Sequence, residues 1–209
     1  MPRSSRLALL TLALAATSLS AQADKRPDGW RVRLDKPGPD STKVEFTSMA
    51  PGWHITTGPA GILYNPSTTA KGAFKVESNI YLFKPAGSHA EAFGLFVGGA
   101  NLDAANESYL YFMIRNDGQY LVKQRAGKDT KDVIPWTKSP AIKLYDGKEE
   151  SVGNLLTVVA TPATVDFLIN GTKVASRPRA DLTTDGIVGL RVNHNLNLHV
   201  SKLDVTPTK

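Results

Sequence analysis

The chain has 209 residues, of which 21 % are charged; 25 Lys and Arg stand against 19 Asp and Glu, for a net charge of +6, and there is no cysteine. The missing cysteine excludes a disulfide framework and a lipid anchor on cysteine, so the core must hold itself together unaided. The basic residues are scattered among acids and do not cluster on one element, which argues against a nucleic-acid partner.

The first segment reads as a leader. Arg3 and Arg6 are followed by the apolar run Leu7-Ala8-Leu9-Leu10-Thr11-Leu12-Ala13-Leu14-Ala15-Ala16. Ala21-Gln22-Ala23, a small-x-small site, then precedes the charged Asp24-Lys25-Arg26. This order predicts a secretory signal over residues 1–23, too short to cross a bilayer that needs about 20 apolar residues. Removing it leaves 186 of the 209 residues, 24–209, predicted as a single exported domain, periplasmic or extracellular. The loss of Arg3 and Arg6 lowers its charge from +6 to +4. No later stretch is long and apolar enough to enter a membrane.

Beyond the leader, 17 Gly and 13 Pro punctuate short apolar or alternating runs. This pattern predicts strands near 43–47, 54–57, 60–64, 74–83, 92–97, 108–115, 120–125, 155–160, 165–169, 172–176, 186–192 and 196–205. Residues 101–107 could hold one helical turn, and no longer helix is expected. Asn116-Asp117-Gly118 and Asn170-Gly171 sit between apolar runs, as hairpin turns require, and His194-Asn195 is a third candidate. Residues 127–153 read as an excursion over the surface. The sum is an all-β chain folded as an antiparallel two-sheet sandwich.

Alternation assigns faces. In 108–115, Leu110, Phe112 and Ile114 share one side, and Tyr109, Tyr111, Met113 and Arg115 the other. Phe74, Val76, Ile80 and Leu82 oppose Lys75, Glu77, Asn79 and Tyr81. Val188, Leu190 and Val192 oppose Arg191 and Asn193, and Val165, Phe167 and Ile169 oppose Asp166 and Leu168. The outward set joins flat rings to planar hydrogen-bonding groups, the combination that sugars ask for. The plain alternative is that Tyr109 and Tyr111 cover a hydrophobic shoulder or an insertion loop.

The end of the chain, Thr184-Asp185-Gly186-Ile187-Val188-Gly189-Leu190-Arg191-Val192-Asn193-His194-Asn195-Leu196, resembles the closing hairpin of concanavalin A-like jelly-roll domains. Asn154-Leu155-Leu156-Thr157-Val158, with Val165-Asp166-Phe167-Leu168-Ile169-Asn170-Gly171 after it, is similar to another hairpin of that superfamily. Gly72 to Ile80 and Gly94-Leu95-Phe96-Val97-Gly98 resemble its central strands. The likeness runs from about 28 to 205, nearest to bacterial secreted LamG-like and 3-keto-disaccharide hydrolase-like domains. It implies a jelly roll of two packed sheets, one concave, with glycans on the concave face or its rim. It implies no catalysis by itself.

Retaining glycosidases of that superfamily carry Glu-x-Asp-x-x-Glu on one strand, which puts acid and nucleophile on one face. That spacing does not occur here; Glu77 is followed two residues on by Asn79. The first expectation is therefore a carbohydrate-binding domain without an evident catalytic motif, contacting its ligand through Trp53, His54, Tyr109, Tyr111, Arg115, Asn193 and His194. A second reading is a glycoside hydrolase-like or lyase-like enzyme using dispersed groups, with Glu77, His54 and His194 as candidates. In the keto-disaccharide hydrolase-like domains a histidine falls near the place of His194, although Asn-His-Asn here replaces their His-Gly. A third reading is a structural or protein-interaction sandwich. No cofactor is expected. His194 and His199 lack a third ligand for a transition metal. Calcium would need clustered loop oxygens, of which residues 35–40 and 101–106 are the candidates.

Overall fold

In the computed structural model, residues 26–36, 43–85, 87 and 89–208 are described. The leader read over 1–23 and part of the candidate calcium loop 35–40 lie outside the described residues. The strands are β1 (Arg31–Leu34), β2 (Val44–Ser48), β3 (Trp53–Thr57), β4 (Gly61–Ala70), β5 (Phe74–Phe83), β6 (Ala92–Ala100), β7 (Ser108–Arg115), β8 (Gln119–Ala126), β9 (Asp129–Lys138), β10 (Ser151–Ala160), β11 (Thr164–Ile169), β12 (Thr172–Pro178), β13 (Gly186–Val192) and β14 (Leu196–Pro207). They form two seven-stranded sheets. The first runs β1-β4-β13-β6-β7-β8-β9 and the second β12-β11-β10-β5-β14-β3-β2, with antiparallel pairing throughout. The expected all-β antiparallel sandwich is what the chain adopts.

The core lies between the sheets, where the inward sets of the alternating strands meet. Leu110, Phe112 and Ile114 of β7 and Val188, Leu190 and Val192 of β13 face Phe74, Val76, Ile80 and Leu82 of β5 and Val165, Phe167 and Ile169 of β11. Each large side chain buried there contributes about 1.5–3 kcal/mol. The turns follow the predicted residues. The Gly118 N–H donates to the Arg115 carbonyl at 3.1 Å, and Asn170 and Asn195 both hold φ of 51°.

Two buried polar ties fix the connections. Thr57 Oγ1 donates to the Asn193 carbonyl and accepts the Leu196 N–H, so β3 carries the hairpin that joins the two sheets. Asn154 Oδ1 accepts from the Lys143 N–H and from Asn170 Nδ2, while Asn154 Nδ2 donates to the Lys143 carbonyl. The two asparagines of the resemblance motif thus pin the 139–150 crossing to the β10–β11 hairpin.

Two expectations are corrected and one strand is added. β1 is a strand beyond those expected; Arg31-Val32-Arg33-Leu34 alternates charged and apolar residues, but over four positions only. The supposed surface excursion begins with ten residues of β9, paired to β8. Both lie at the outer edges of the first sheet, where one side of the strand is unpaired and charge or Pro is tolerated; in β9, with Pro135, the apolar periodicity is weak as a result. Residues 101–107 form successive turns and no helix; the Ala104 N–H bonds the Asn101 carbonyl and the Glu107 N–H the Ala104 carbonyl.

Candidate ligand-binding face

The strand register lays out the outward face of the first sheet row by row. One row runs Arg33, Ile62, Arg191, Gly94, Met113, Leu121 across β1, β4, β13, β6, β7 and β8. The next runs Arg31, Tyr64, Gly189, Phe96, Tyr111, Lys123, Asp132. Tyr109 and Arg125 pair beyond it. Two positions are bare. At Gly189 an added Cβ would come within 2.6 Å of the Phe96 ring, so the glycine lets Phe96 lie flat on β13.

The aromatic rings of this face form a chain. Tyr64 to Phe96, Phe96 to Tyr109 and Tyr109 to Tyr111 are 6.4, 5.2 and 5.6 Å apart between centroids. With Ile62, Met113, Leu121 and Leu102 they make a second apolar cluster, outside the core. Tyr109 is 1 % exposed and Tyr111 8 %, so neither presents a wet ring face; they point outward as alternation predicts, but cover a hydrophobic shoulder. The reason is tertiary: the 101–107 turns bring Leu102 and two carboxylates onto the sheet. Burial pushes the Tyr109 hydroxyl up to about 12. The Tyr64 hydroxyl reaches about 12 through burial and through donation to Asp103 at 2.7 Å.

The carboxylates of this face are matched by cations. Glu107, itself buried, sits between Arg33 at 2.6 Å and Arg125 at 2.8 Å. Asp103 pairs with Arg31 at 2.6 Å; the Tyr64 hydrogen bond, with that cation, holds its carboxyl below the usual range despite some burial. Asp132 pairs with Lys123 at 3.0 Å. Asp35 receives both terminal nitrogens of Arg191, one at 2.7 Å. The guanidinium of Arg191 lies 5.7 Å from the Tyr111 ring centroid, and its Nε is buried without a hydrogen bond.

Toward the β7–β8 turn the face opens. Arg115 stacks its guanidinium 4.0 Å from the Trp136 ring centroid, and Trp136, half-buried, packs against the second cluster. Asp117 forks onto Arg115, accepting from its Nε at 3.1 Å and from its terminal nitrogen. Gln119 donates to the same carboxylate. Burial would raise the Asp117 carboxyl, but these hydrogen bonds outweigh it and hold it below the usual range. Asn193 follows on the same side, with its N–H on the Ala92 carbonyl of the row that holds Arg115. At the rim, His194 Nδ1 stands 3.9 Å from Glu91, and His89 Nε2 3.7 Å from its other oxygen. Asn116, Asp117, Glu91 and Asn195 line a cavity of about 310 Å³ there.

Tyr109, Tyr111, Arg115 and Asn193 therefore share one face, with His194 at its rim. Trp53, His54 and Glu77 belong elsewhere. Trp53 points toward the core side of β3, its ring 5.3 Å from Trp30. His54 faces outward from the second sheet, directly opposite His199, with its ring 4.9 Å from Phe83. Glu77 is on that outer face too, bonded to Lys75 at 2.9 Å and near Lys202 at 3.6 Å. The Lys75 bond, helped by Lys202, holds its carboxyl below the usual range. The sandwich does not bring the suggested acid–base trio of Glu77, His54 and His194 into one site. Arg191, Asp35 and Trp136 are functional candidates that sequence reasoning passed over. Arg191 was legible as an outward residue, but nothing nearby in sequence marks its partner Asp35, 156 positions away.

Among the described residues no group of three His, Asp or Glu could hold a metal ion. Asp35 and Asp103, from the two loops considered for calcium, are engaged by arginines. No helix among the described residues is long and apolar enough to cross a membrane.

No protein-family model matches the sequence, and no curated protein matches it significantly. Solved structures do. A carbohydrate binding module, CBM66 from Bacillus subtilis, superposes with a TM-score of 0.61 at 14 % identity, covering 85 % of this chain and 95 % of that one. A Bacillus subtilis protein of unknown function with a galectin-like fold gives 0.60 at 12 %, over 85 % and 88 %. A glycoside hydrolase family 16 endo-glucanase from Bacteroides ovatus gives 0.58 at 13 %, over 84 % and 94 %. At these identities the likeness shows the fold alone, an antiparallel two-sheet jelly roll, over most of the chain.

Proposed function

We propose that this is an exported carbohydrate-binding domain that takes a saccharide on the open half of the first sheet's outer face. The observation that carries the reading is the Arg115–Trp136 stack, at 4.0 Å and locked by the Asp117 fork. A ring C–H surface packs on such a flat pair, and the guanidinium edge, Asn193 and the His194 rim supply donors and acceptors for hydroxyls. Because Asp117 orients Arg115 beforehand, little side-chain entropy is lost on binding. Jelly-roll neighbours that include a carbohydrate-binding module support the ligand class. The leader read over residues 1–23 supports export.

Binding without turnover is favoured by the state of the acids. A glycosidase needs one carboxyl held protonated as general acid. On the sheet Asp35, Asp103, Glu107, Asp117 and Asp132 are each paired to a Lys or Arg, while Glu91, at the rim, faces only His89 and His194 among the described residues. Those with a resolved shift, Asp103 and Asp117, are shifted toward ionisation.

The test is calorimetric titration of residues 24–209 with mixed-linkage glucan and xyloglucan oligosaccharides, with released sugar assayed in parallel. Arg115→Ala is expected to weaken binding at least tenfold while the urea midpoint stays close to wild type. An Arg115→Ala protein that binds as wild type sinks this site, and released product in the parallel assay sinks the non-catalytic reading.

A further inference from the structure

We infer that the chain carries a second saccharide subsite, on the seam between the sheets where their edge strands β1 and β2 meet. The inference rests on the reading above that the ligand is a saccharide. Trp30, just before β1, crosses from the first sheet to the second, its ring 5.3 Å from Trp53 at an angle of 53° and 6.4 Å from Phe46. Both indoles are only partly buried against the core. The sides they leave uncovered bound an open cleft of about 440 Å³, within the size range of small-ligand sites.

The walls of the cleft are polar. Ser48, Thr68 and Ser201 line it from β2, β4 and β14, and none of their hydroxyls hydrogen-bonds to another described residue. Lys202 and Asp204 stand at its rim 3.9 Å apart, one charge of each sign. Beside Ser201 the wall is bare backbone. Gly52 holds φ of +92°, and a Cβ there would fall 1.9 Å from the Val200 carbonyl, so only glycine lets the chain before β3 lie this close to β14.

Two angled indoles under uncommitted hydroxyls match the C–H face and the equatorial hydroxyls of a pyranose. The opposed rim charges fit a neutral sugar better than an anionic one. A structural plug of the seam would need the indoles but would gain nothing from a polar wall around them. The subsite is also remote from the first. Trp136 lies on β9, the opposite edge of the same sheet from β1, and six strand spacings of about 4.8 Å put roughly 25–30 Å between them.

That separation makes the subsite measurable, because the chain has only 3 tryptophans: Trp30, Trp53 and Trp136. In Trp136→Phe all indole emission comes from the seam. In the double variant Trp30→Phe/Trp53→Phe it comes from Trp136. Each is titrated with cellotetraose and with a xyloglucan heptasaccharide. The expected result is a saturable emission change in both variants, with separate midpoints. A flat Trp136→Phe titration beside a responding double variant overturns the seam subsite and leaves the first site standing. The reverse pattern overturns the first site and keeps the seam. Flat titrations in both overturn both. Should the double variant lose its fold, Ser201→Phe in the Trp136→Phe background fills the cleft and keeps both indoles. It is expected to weaken the emission response at least tenfold, and an unchanged response overturns the subsite.

Discussion

β5 and β6 follow one another in the chain, span ten and nine residues, and serve the same core from opposite sheets. β5 alternates without a break between buried and half-buried positions. β6 is buried at eight consecutive positions and exposed only at Ala100. The outward set of β5 is Lys75, Glu77, Asn79, Tyr81 and Phe83, a solvated face. The outward set of β6 includes Gly94 and Phe96, and it lies beneath the second aromatic cluster. A sheet with one wet face needs only its inward contacts to be correct. A sheet with a packed layer on each face is held from both sides, and such a surface can keep Arg191 and Arg115 in fixed positions.

The strongest way to break this comparison is to remove a charge from the packed layer. Arg191 is nearly buried, and its two terminal nitrogens rest on Asp35. Asp35→Ala leaves that guanidinium unpaired and is expected to cost about 3–5 kcal/mol in urea unfolding. A loss below about 1 kcal/mol would mean the outer layer of the first sheet is as solvated as that of the second.

The joint between the sheets comes next. Thr57 of the second sheet satisfies the Asn193 carbonyl and the Leu196 N–H of the hairpin that links β13 to β14. Thr57→Val keeps the shape and removes both bonds at a position 2 % exposed. The expected loss is about 1–3 kcal/mol, read from the same unfolding curves. A neutral substitution would show that the two sheets are joined by packing alone.

The solvated face should barely respond. Glu77 lies between Lys75 and Lys202, an arrangement that resembles Glu107 between Arg33 and Arg125, but Glu77 stands in contact with water. Glu77→Gln is expected to change stability by less than about 1 kcal/mol. A larger loss would place Glu77 in a structural network of its own.

The difference between the two faces explains how much could be read in advance. The core faces of β5, β7, β11 and β13 were legible because period-two alternation records what points inward. The same alternation marked Tyr109 and Tyr111 as outward but could not say whether outward meant wet. Leu102 and Glu107, which help to bury them, come from a turn segment with no period at all. β9 was missed for the related reason that an edge strand carrying Asp129, Lys131, Asp132 and Pro135 has little apolar pattern to detect. Trp136 went with it, and so did half of the stack on which the proposed site rests. Trp30 sits before a strand of only four residues, too short for its alternation to mark it, so its meeting with Trp53 had no local signal.

The smallest expected effect tests the second sheet by acid. His199 is directly opposite His54 on β3 and has its ring 5.7 Å from Tyr81. Burial, and then the neighbouring His54, lower its proton affinity below the ordinary value of 6.5, against some help from the Pro51 and Trp53 carbonyls. The unfolded chain lacks that penalty. As pH falls through 6.5, it takes up a proton that folded His199 still refuses, so protonation favours unfolding. Stability contributed at this site is therefore complete above 6.5, declines below it, and levels off once pH passes the lower folded value. Urea midpoints taken between pH 7.5 and 5 should drop across that window in the wild type and drop less in His199→Gln. Equal slopes in the two proteins would assign the acid sensitivity to other groups. They would also leave the solvated face with no titrating pair of its own, in contrast to the ion-paired layer across the sandwich.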